Sequence, residues 1–210
     1  MVIDDQTAVT AVTGLILAGG RAERMGGRDK GLLPLAGAPL IAHSICRLQP
    51  QVAKLLISAN RHPDIYRTFG YQVVGDDPGL RFRGPLAGML AAMAVAQTPY
   101  LLTAPCDAPL LPLDYAQRMC AALGPEQATV SVAFSAGYWQ PVFALLPVDL
   151  RDDLADWLTT GQGGVGRWLQ RHQPAQVAFP DRPTLFRNIN TPEDLAQLEA
   201  ELSHRNISDG

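Results

Sequence analysis

Short apolar runs alternate with segments of helical period along this chain, and that alternation limits its fold more than any other feature. "TGLILA" (13–18) is a candidate buried strand that ends in a glycine-rich stretch. "PLIAHSICRLQ" follows, with Ile41, Ile45 and Leu48 at i, i+4 and i+7, and Pro39 suits a first helical turn. "VAKLLISA" (52–59), "YQVVGDD" (71–77) and "YLLTAPCDAPLLP" (100–112) read as further strands. Between the last two, "GPLAGMLAAMAVAQ" (84–97) sets Leu86, Leu90 and Met93 on one helical face. "DYAQRMCAAL" and "DLRDDLADWL" read as helices, "ATVSVAF" and "QPVFALL" as strands. "TPEDLAQLEAEL" predicts a last helix, with Thr191 as N-cap, Pro192 at the first helical position, and Leu195, Leu198 and Leu202 at helical spacing. Such repetition predicts an α/β fold with a mainly parallel sheet flanked by helices. Neither a low-complexity linker nor an internal repeat divides it, so we expect one domain over 13–202, with tails at 1–12 and 203–210.

A chain of 210 residues with 47% hydrophobic content can bury a core without disulfides or a structural metal. Cys46, Cys106 and Cys120 form no C-x-x-C pair, which fits reduced thiols in a cytoplasmic protein. The start, "MVIDDQTAVTAV", lacks the basic residues of a secretory signal, and no apolar run approaches the roughly 18 residues of a membrane span. A net charge of −3 argues against nucleic-acid binding through bulk positive charge. We expect neither nucleic acid nor membrane as a partner.

Against that mildly acidic background, "LAGGRAERMGGRDKG" (17–31) packs five glycines and four basic residues into fifteen positions. Gly19 and Gly20, without Cβ, let backbone N–H groups approach a triphosphate. Arg21, Arg24, Arg28 and Lys30 would add charge-assisted bonds to phosphate oxygens. Ligands on open parallel sheets gather at the carboxyl ends of strands. Here the glycine-rich stretch follows the first strand, Ser58 and Asn60 end the second, Asp76 the third and Asp107 the fourth. Asp107, in "APCDAPLLP", suits Mg²⁺, which takes one or two carboxylates and completes its shell with water and substrate phosphates. Cys106 beside it has no flanking His or basic residue, and reads as a small buried hydrophobe.

Familiar alternatives fail on the residues. A Walker loop needs a Gly-Lys dipeptide that the chain lacks. A G-x-G-x-x-G match does occur at Gly161–Gly166, but it follows a helical segment and reads as a helix-ending loop. His43, His62, His172 and His204 show no metal-ligand spacing, and no G-x-S-x-G elbow is present.

Taken together, "LILAGGRAERMGGRDKGLLPLAGAPLI", "ISANRH", "VVGDD…GPLAGM", "APCDAPLLP" and "NINTPEDL" closely resemble the molybdenum cofactor guanylyltransferase (MobA) family, from about residue 13 to about residue 200. The resemblance implies a Rossmann-like nucleotidyltransferase fold. It also implies transfer of GMP from GTP to molybdenum-bound molybdopterin, giving the guanine dinucleotide cofactor and pyrophosphate. It puts GTP on Leu17, Ala18, Gly19, Gly20, Lys30, Ser58, Asp76 and Asp107, with Lys30, Asp107 and Arg24 catalytic and Asp107 on Mg²⁺. The pterin side falls on Gly84, Pro85, Gly88, Asn188 and Asn190. Molybdoenzymes or their chaperones are implied as further partners. One departure is that the family's N-A-N reads Ser58-Ala59-Asn60 here, which replaces a nucleotide-contacting Asn by a shorter side chain and leaves open whether Asn60 compensates.

Three rivals stay open at this point. A cytidylyl homologue would make the cytosine dinucleotide form, although such enzymes tend to read L-A-A-G where this chain has Leu17-Ala18-Gly19-Gly20. A sugar-1-phosphate nucleotidyltransferase is more distant. A non-catalytic nucleotide sensor or cofactor chaperone would have no need of Lys30 together with Asp107.

Overall fold

The structure is a computed structural model that describes residues 10–18, 29–80, 83–124, 128–161, 163–179, 186, 189 and 191–208, with side chains to 202. β1 (Val12–Leu17) is buried at every position, as a strand covered on both faces must be. A short hairpin of β2 (Pro34–Leu35) and β3 (Ala38–Pro39) leads into α1 (Leu40–Leu48). Pro39 thus sits just outside the helix, at its N-cap, because β3 pairs with β2 and the Leu40 N–H donates to the Leu33 carbonyl at 2.9 Å. β4 (Lys54–Ser58), α2 (Pro63–Arg67), β5 (Gln72–Val74), α3 (Pro85–Met93), β6 (Tyr100–Pro105) and α4 (Tyr115–Ala121) follow. The remainder comprises β7 (Ser131–Ser135), β8 (Tyr138–Pro147), α5 (Arg151–Thr159), α6 (Val165–Arg171), β9 (Ala175–Ala178) and α7 (Pro192–Ser208).

The described strands other than β2 and β3 make one seven-stranded sheet, in the order β5-β4-β1-β6-β8-β7-β9. β8 runs against β6 and β7, and every other pair is parallel. On one face Ile41 and Ile45 of α1 and Tyr115 and Met119 of α4 pack on Ile16, Ile57 and Phe143. On the other, Leu86 and Met89 of α3, Leu154 of α5 and Trp168 of α6 pack on Leu15, Leu56 and Ala144. The result is a three-layer α/β domain.

A third cluster joins Leu33, Leu35 and Leu40 to Ile189 and Leu198, with Leu195 and Leu202 against it. It fastens α7 to the hairpin. The start of α7 is a reciprocal cap: the Asp194 N–H donates to Thr191 Oγ1 at 3.1 Å, and the Thr191 N–H to Asp194 Oδ2 at 3.0 Å.

The structure bears out the helix-ending loop and departs from expectation elsewhere. Gly161 and Gly164 take φ of +70° and +93° and turn the chain from α5 into α6, so the G-x-G-x-x-G match joins two helices. α6 and β9 are two elements that the sequence reading does not mark. Both tail boundaries move outward, since Val12 is fully buried in β1 and α7 continues to Ser208. No helix among the described residues is long and apolar enough to cross a membrane.

Candidate active site

Parallel pairing brings four strand ends to one level. Leu17 lies beside Ser58 on one side and Pro105 on the other, and Ser58 beside Val74. The ladder continues one step past the strands: the Ala18 N–H donates to the Ser58 carbonyl (2.8 Å), Ala59 to Val74 (2.9 Å) and Cys106 to Leu17 (3.1 Å). Asn60, Asp76 and Asp107 leave the sheet directly above, on the rim where the glycine-rich stretch departs.

Asp107 is only 8% exposed, so its carboxylate needs a compensating charge. Lys30 supplies it, with Nζ 3.4 Å from Oδ2. Burial pushes the Asp107 carboxyl above the ordinary aspartate value of 3.8, and Lys30 offsets part of that rise. The backbone is pinned as well: the Ile189 N–H donates to the Asp107 carbonyl (3.0 Å) and Ser44 Oγ to the Cys106 carbonyl (3.2 Å). Cys106 itself is buried, and burial pushes its thiol up, which leaves it an inert part of the core.

Lys30 starts a single 3₁₀ turn, Lys30–Leu32. Its next residue must be small, because a Cβ on Gly31 would stand 2.6 Å from Tyr66 Oη and 3.2 Å from Cys106 Sγ. The lysine is therefore carried on a turn pressed against the end of β6.

Across the rim, Asn60 and Asp76 grip one another. Asn60 Nδ2 donates to Asp76 Oδ2 at 2.6 Å, and the Asp76 N–H returns a bond to Asn60 Oδ1 at 2.8 Å. Ser58 is placed differently: it is 2% exposed, and its hydroxyl lies where a Cβ on Gly88 would have to go. Gly88 is thus the residue that lets α3 lie directly on the ends of β1 and β4. Gly84, with φ of +81°, caps α3 and Pro85 opens it, both exposed. Gly19, Gly20, Arg21, Arg24, Arg28, Asn188 and Asn190 lie outside the described residues.

The donor set bears on which metal could sit here. Among the described residues no group of three or more His, Cys, Asp or Glu side chains converges. Asp107 offers one hard oxygen donor at the rim, which suits a cation that takes the rest of its shell from water and substrate phosphates, as Mg²⁺ and Mn²⁺ do.

Sequence reasoning missed two features. The Asn60–Asp76 grip had a signal, since Asn60 stands two residues past a strand end. The second, Tyr66 on Asp29, had none, because "PDIYR" looks like any short helix.

Residues 14–177 match the family model described as the MobA-like NTP transferase domain. A molybdenum cofactor guanylyltransferase of Shewanella amazonensis is 47% identical over 192 residues, spanning 91% of this chain and 97% of that protein. Among solved structures, molybdopterin-guanine dinucleotide biosynthesis protein A of Archaeoglobus fulgidus superposes with a TM-score of 0.73 at 20% identity, covering 91% of this chain and 99% of that one. A Mycobacterium tuberculosis protein solved in complex with manganese gives 0.67 at 20% identity, over 91% and 99% of the two chains. At such identities the superpositions speak for the fold alone.

Proposed function

Since this chain belongs to the MobA-like NTP transferases, and within them with the molybdenum cofactor guanylyltransferases, we propose that it transfers GMP from GTP to molybdenum-bound molybdopterin. The observation that carries the site assignment is the Lys30–Asp107 pair, 3.4 Å apart on the rim where β1 ends.

The terminal phosphate of molybdopterin attacks the α-phosphorus of GTP in line. A new P–O bond forms, the bond between the α-phosphorus and its bridging oxygen breaks, and pyrophosphate leaves with that oxygen. The nucleophile is already an anion at neutral pH, so the site needs no general base. Catalysis then consists of positioning and charge neutralisation. Lys30 holds the departing phosphates, with Arg24 and the amides of Gly19 and Gly20 around them, while Leu17 and Ala18, held in the sheet ladder, bring the chain to the rim. Asp76, oriented by Asn60, faces the nucleoside. Ser58 serves from beneath, through the carbonyl that takes the Ala18 N–H. Asp107 is the residue that would hold Mg²⁺, and the bound cation would offset charge on the phosphate oxygens. Gly84, Pro85, Asn188 and Asn190 form the pterin side, with Gly88 setting how closely α3 approaches. Three free cysteines fit a reducing compartment, and the reaction is assigned to the cytoplasm. The finished dinucleotide passes to a molybdoenzyme or its chaperone.

The test is acceptor-dependent release of pyrophosphate from GTP or CTP, with molybdenum-molybdopterin and Mg²⁺ present. We expect release from GTP alone. A CTP preference would turn the assignment to the cytosine form, and nucleotide binding without any release would make the chain a sensor.

A further inference from the structure

We propose that Asp29, gripped by Tyr66 and His62, is a positioning residue that sets Lys30 against Asp107. This inference rests on the nucleotidyl-transfer reading above.

Asp29 immediately precedes the lysine, and its side chain is 8% exposed. A carboxylate so placed must be satisfied from within. Tyr66 Oη donates to Asp29 Oδ1 at 2.5 Å, and His62 Nδ1 lies 3.3 Å from Oδ2. Tyr66 is fully buried in α2, and burial pushes its phenol well above the ordinary value, so it stays a neutral donor. His62 adopts a left-handed conformation, φ of +46°, as the N-cap of α2. A non-glycine residue in that region is held there by its surroundings. Here the unusual backbone comes with the imidazole against Asp29.

The grip is transmitted to Lys30 through the backbone. The Asp29 carbonyl accepts the Leu32 N–H at 3.1 Å, and the Lys30 carbonyl accepts the Leu33 N–H at 3.1 Å, which closes the 3₁₀ turn. Gly31 then fits between Tyr66 Oη and Cys106 Sγ. The base of the lysine is therefore fixed from two sides, by α2 and by the end of β6. Lysine carries a compact charge on a flexible four-carbon stem, so a fixed base is what gives its ammonium a defined reach. Two carboxylates thus flank Lys30: Asp107 faces its charge, and Asp29 anchors its backbone.

A merely structural cluster would weaken every ligand alike and would act independently of Lys30. The experiment measures binding of GTP and of guanosine to the full chain by calorimetry, for wild type, Tyr66→Phe, Lys30→Ala and the double variant. Loss of one hydrogen bond to a charged group should weaken GTP binding about tenfold in Tyr66→Phe and leave guanosine binding within about twofold. In the Lys30→Ala background the same substitution should change GTP binding by less than about twofold, since contacting residues in one network are non-additive. Asp29→Asn, which keeps the size of the side chain, should reproduce the pattern and serves if Tyr66→Phe folds poorly. An equal loss for both ligands, or an undiminished loss in the Lys30→Ala background, overturns the positioning role alone. Failure of the wild-type chain to bind GTP overturns the nucleotidyl-transfer reading and this inference with it.

Discussion

Asp107 carries opposite consequences for stability and for chemistry. Burial raises its carboxyl above 3.8 in the folded chain despite the help of Lys30. The unfolded chain ionises it at the ordinary value, so the folded state binds the proton more tightly. The sign follows: as pH rises from 3.8 through the raised value, ionisation of Asp107 subtracts stability, and the loss is complete once pH has passed that raised value. Asp107→Asn should therefore melt no lower, and somewhat higher, than wild type at pH 7, with the difference vanishing in acid below 3.8. Its rate of GMP transfer should fall at least about 100-fold, because the residue proposed to hold the cation is gone. Thermal unfolding across pH, beside acceptor-dependent pyrophosphate release, reads both effects. A variant that melts lower yet retains its rate would remove Asp107 from the proposed machinery. Gly31 and Gly88 make the complementary point, that close approach at this rim is set by residues that lack a side chain.

Between elements, the join of α5 to α6 shows how one surface carboxylate can organise a helix pair. Asp153 Oδ2 accepts the Trp168 indole N–H at 2.8 Å and lies 3.0 Å from His172 Nε2, while Arg171 approaches Oδ1 at 3.4 Å. Partial burial pulls its carboxyl upward, but the indole N–H, His172 and Arg171 outweigh that and leave it below 3.8. A depressed folded-state value means stability present above 3.8 and lost as pH falls through the folded value. Asp153→Ala should cost about 1 kcal/mol at neutral pH, a hydrogen-bond-sized loss discounted for the exposure of the ion pairs. The deficit should shrink in acid. Urea titrations at pH 7 and pH 3 would check it; an equal deficit at both would mean that packing, not the charge, holds the pair. The same reasoning explains why the sequence shows α5 as a helix but α6 only as loop. The contact that fixes α6 comes from a residue one helix earlier, and no local pattern announces it.

At the scale of the molecule, α7 closes the fold from far along the chain. Leu195, Leu198 and Leu202 cover Leu33, Leu35 and Leu40, and the Ala36 N–H donates to Glu199 Oε1 at 3.0 Å. Leu198 is buried and Leu195 and Leu202 are half-buried; full burial contributes roughly 1.5–3 kcal/mol per leucine and partial burial less, still a sizeable share of the roughly 5–15 kcal/mol by which a domain is stable. A chain ending at residue 191 should lose most of its cooperative thermal transition, and circular dichroism melting would show it. An unchanged midpoint would make α7 dispensable. Much was legible in the sequence by itself: the α/β class, the first four strands of the sheet, the capped start of α7, and the placing of Lys30 and Asp107 on one rim. These follow from local rules, since burial on both faces writes an apolar run and strand ends write polar residues. Only the tertiary structure decided that Asn60 grips Asp76, 16 residues away, that Tyr66 grips Asp29 across 37, and that Lys30 meets Asp107 across 77. Periodicity records which face of an element is buried, not which element covers it. The order of strands in the sheet supplies that partner, and it also withdraws Ser58 beneath α3 while Asn60 reaches the rim.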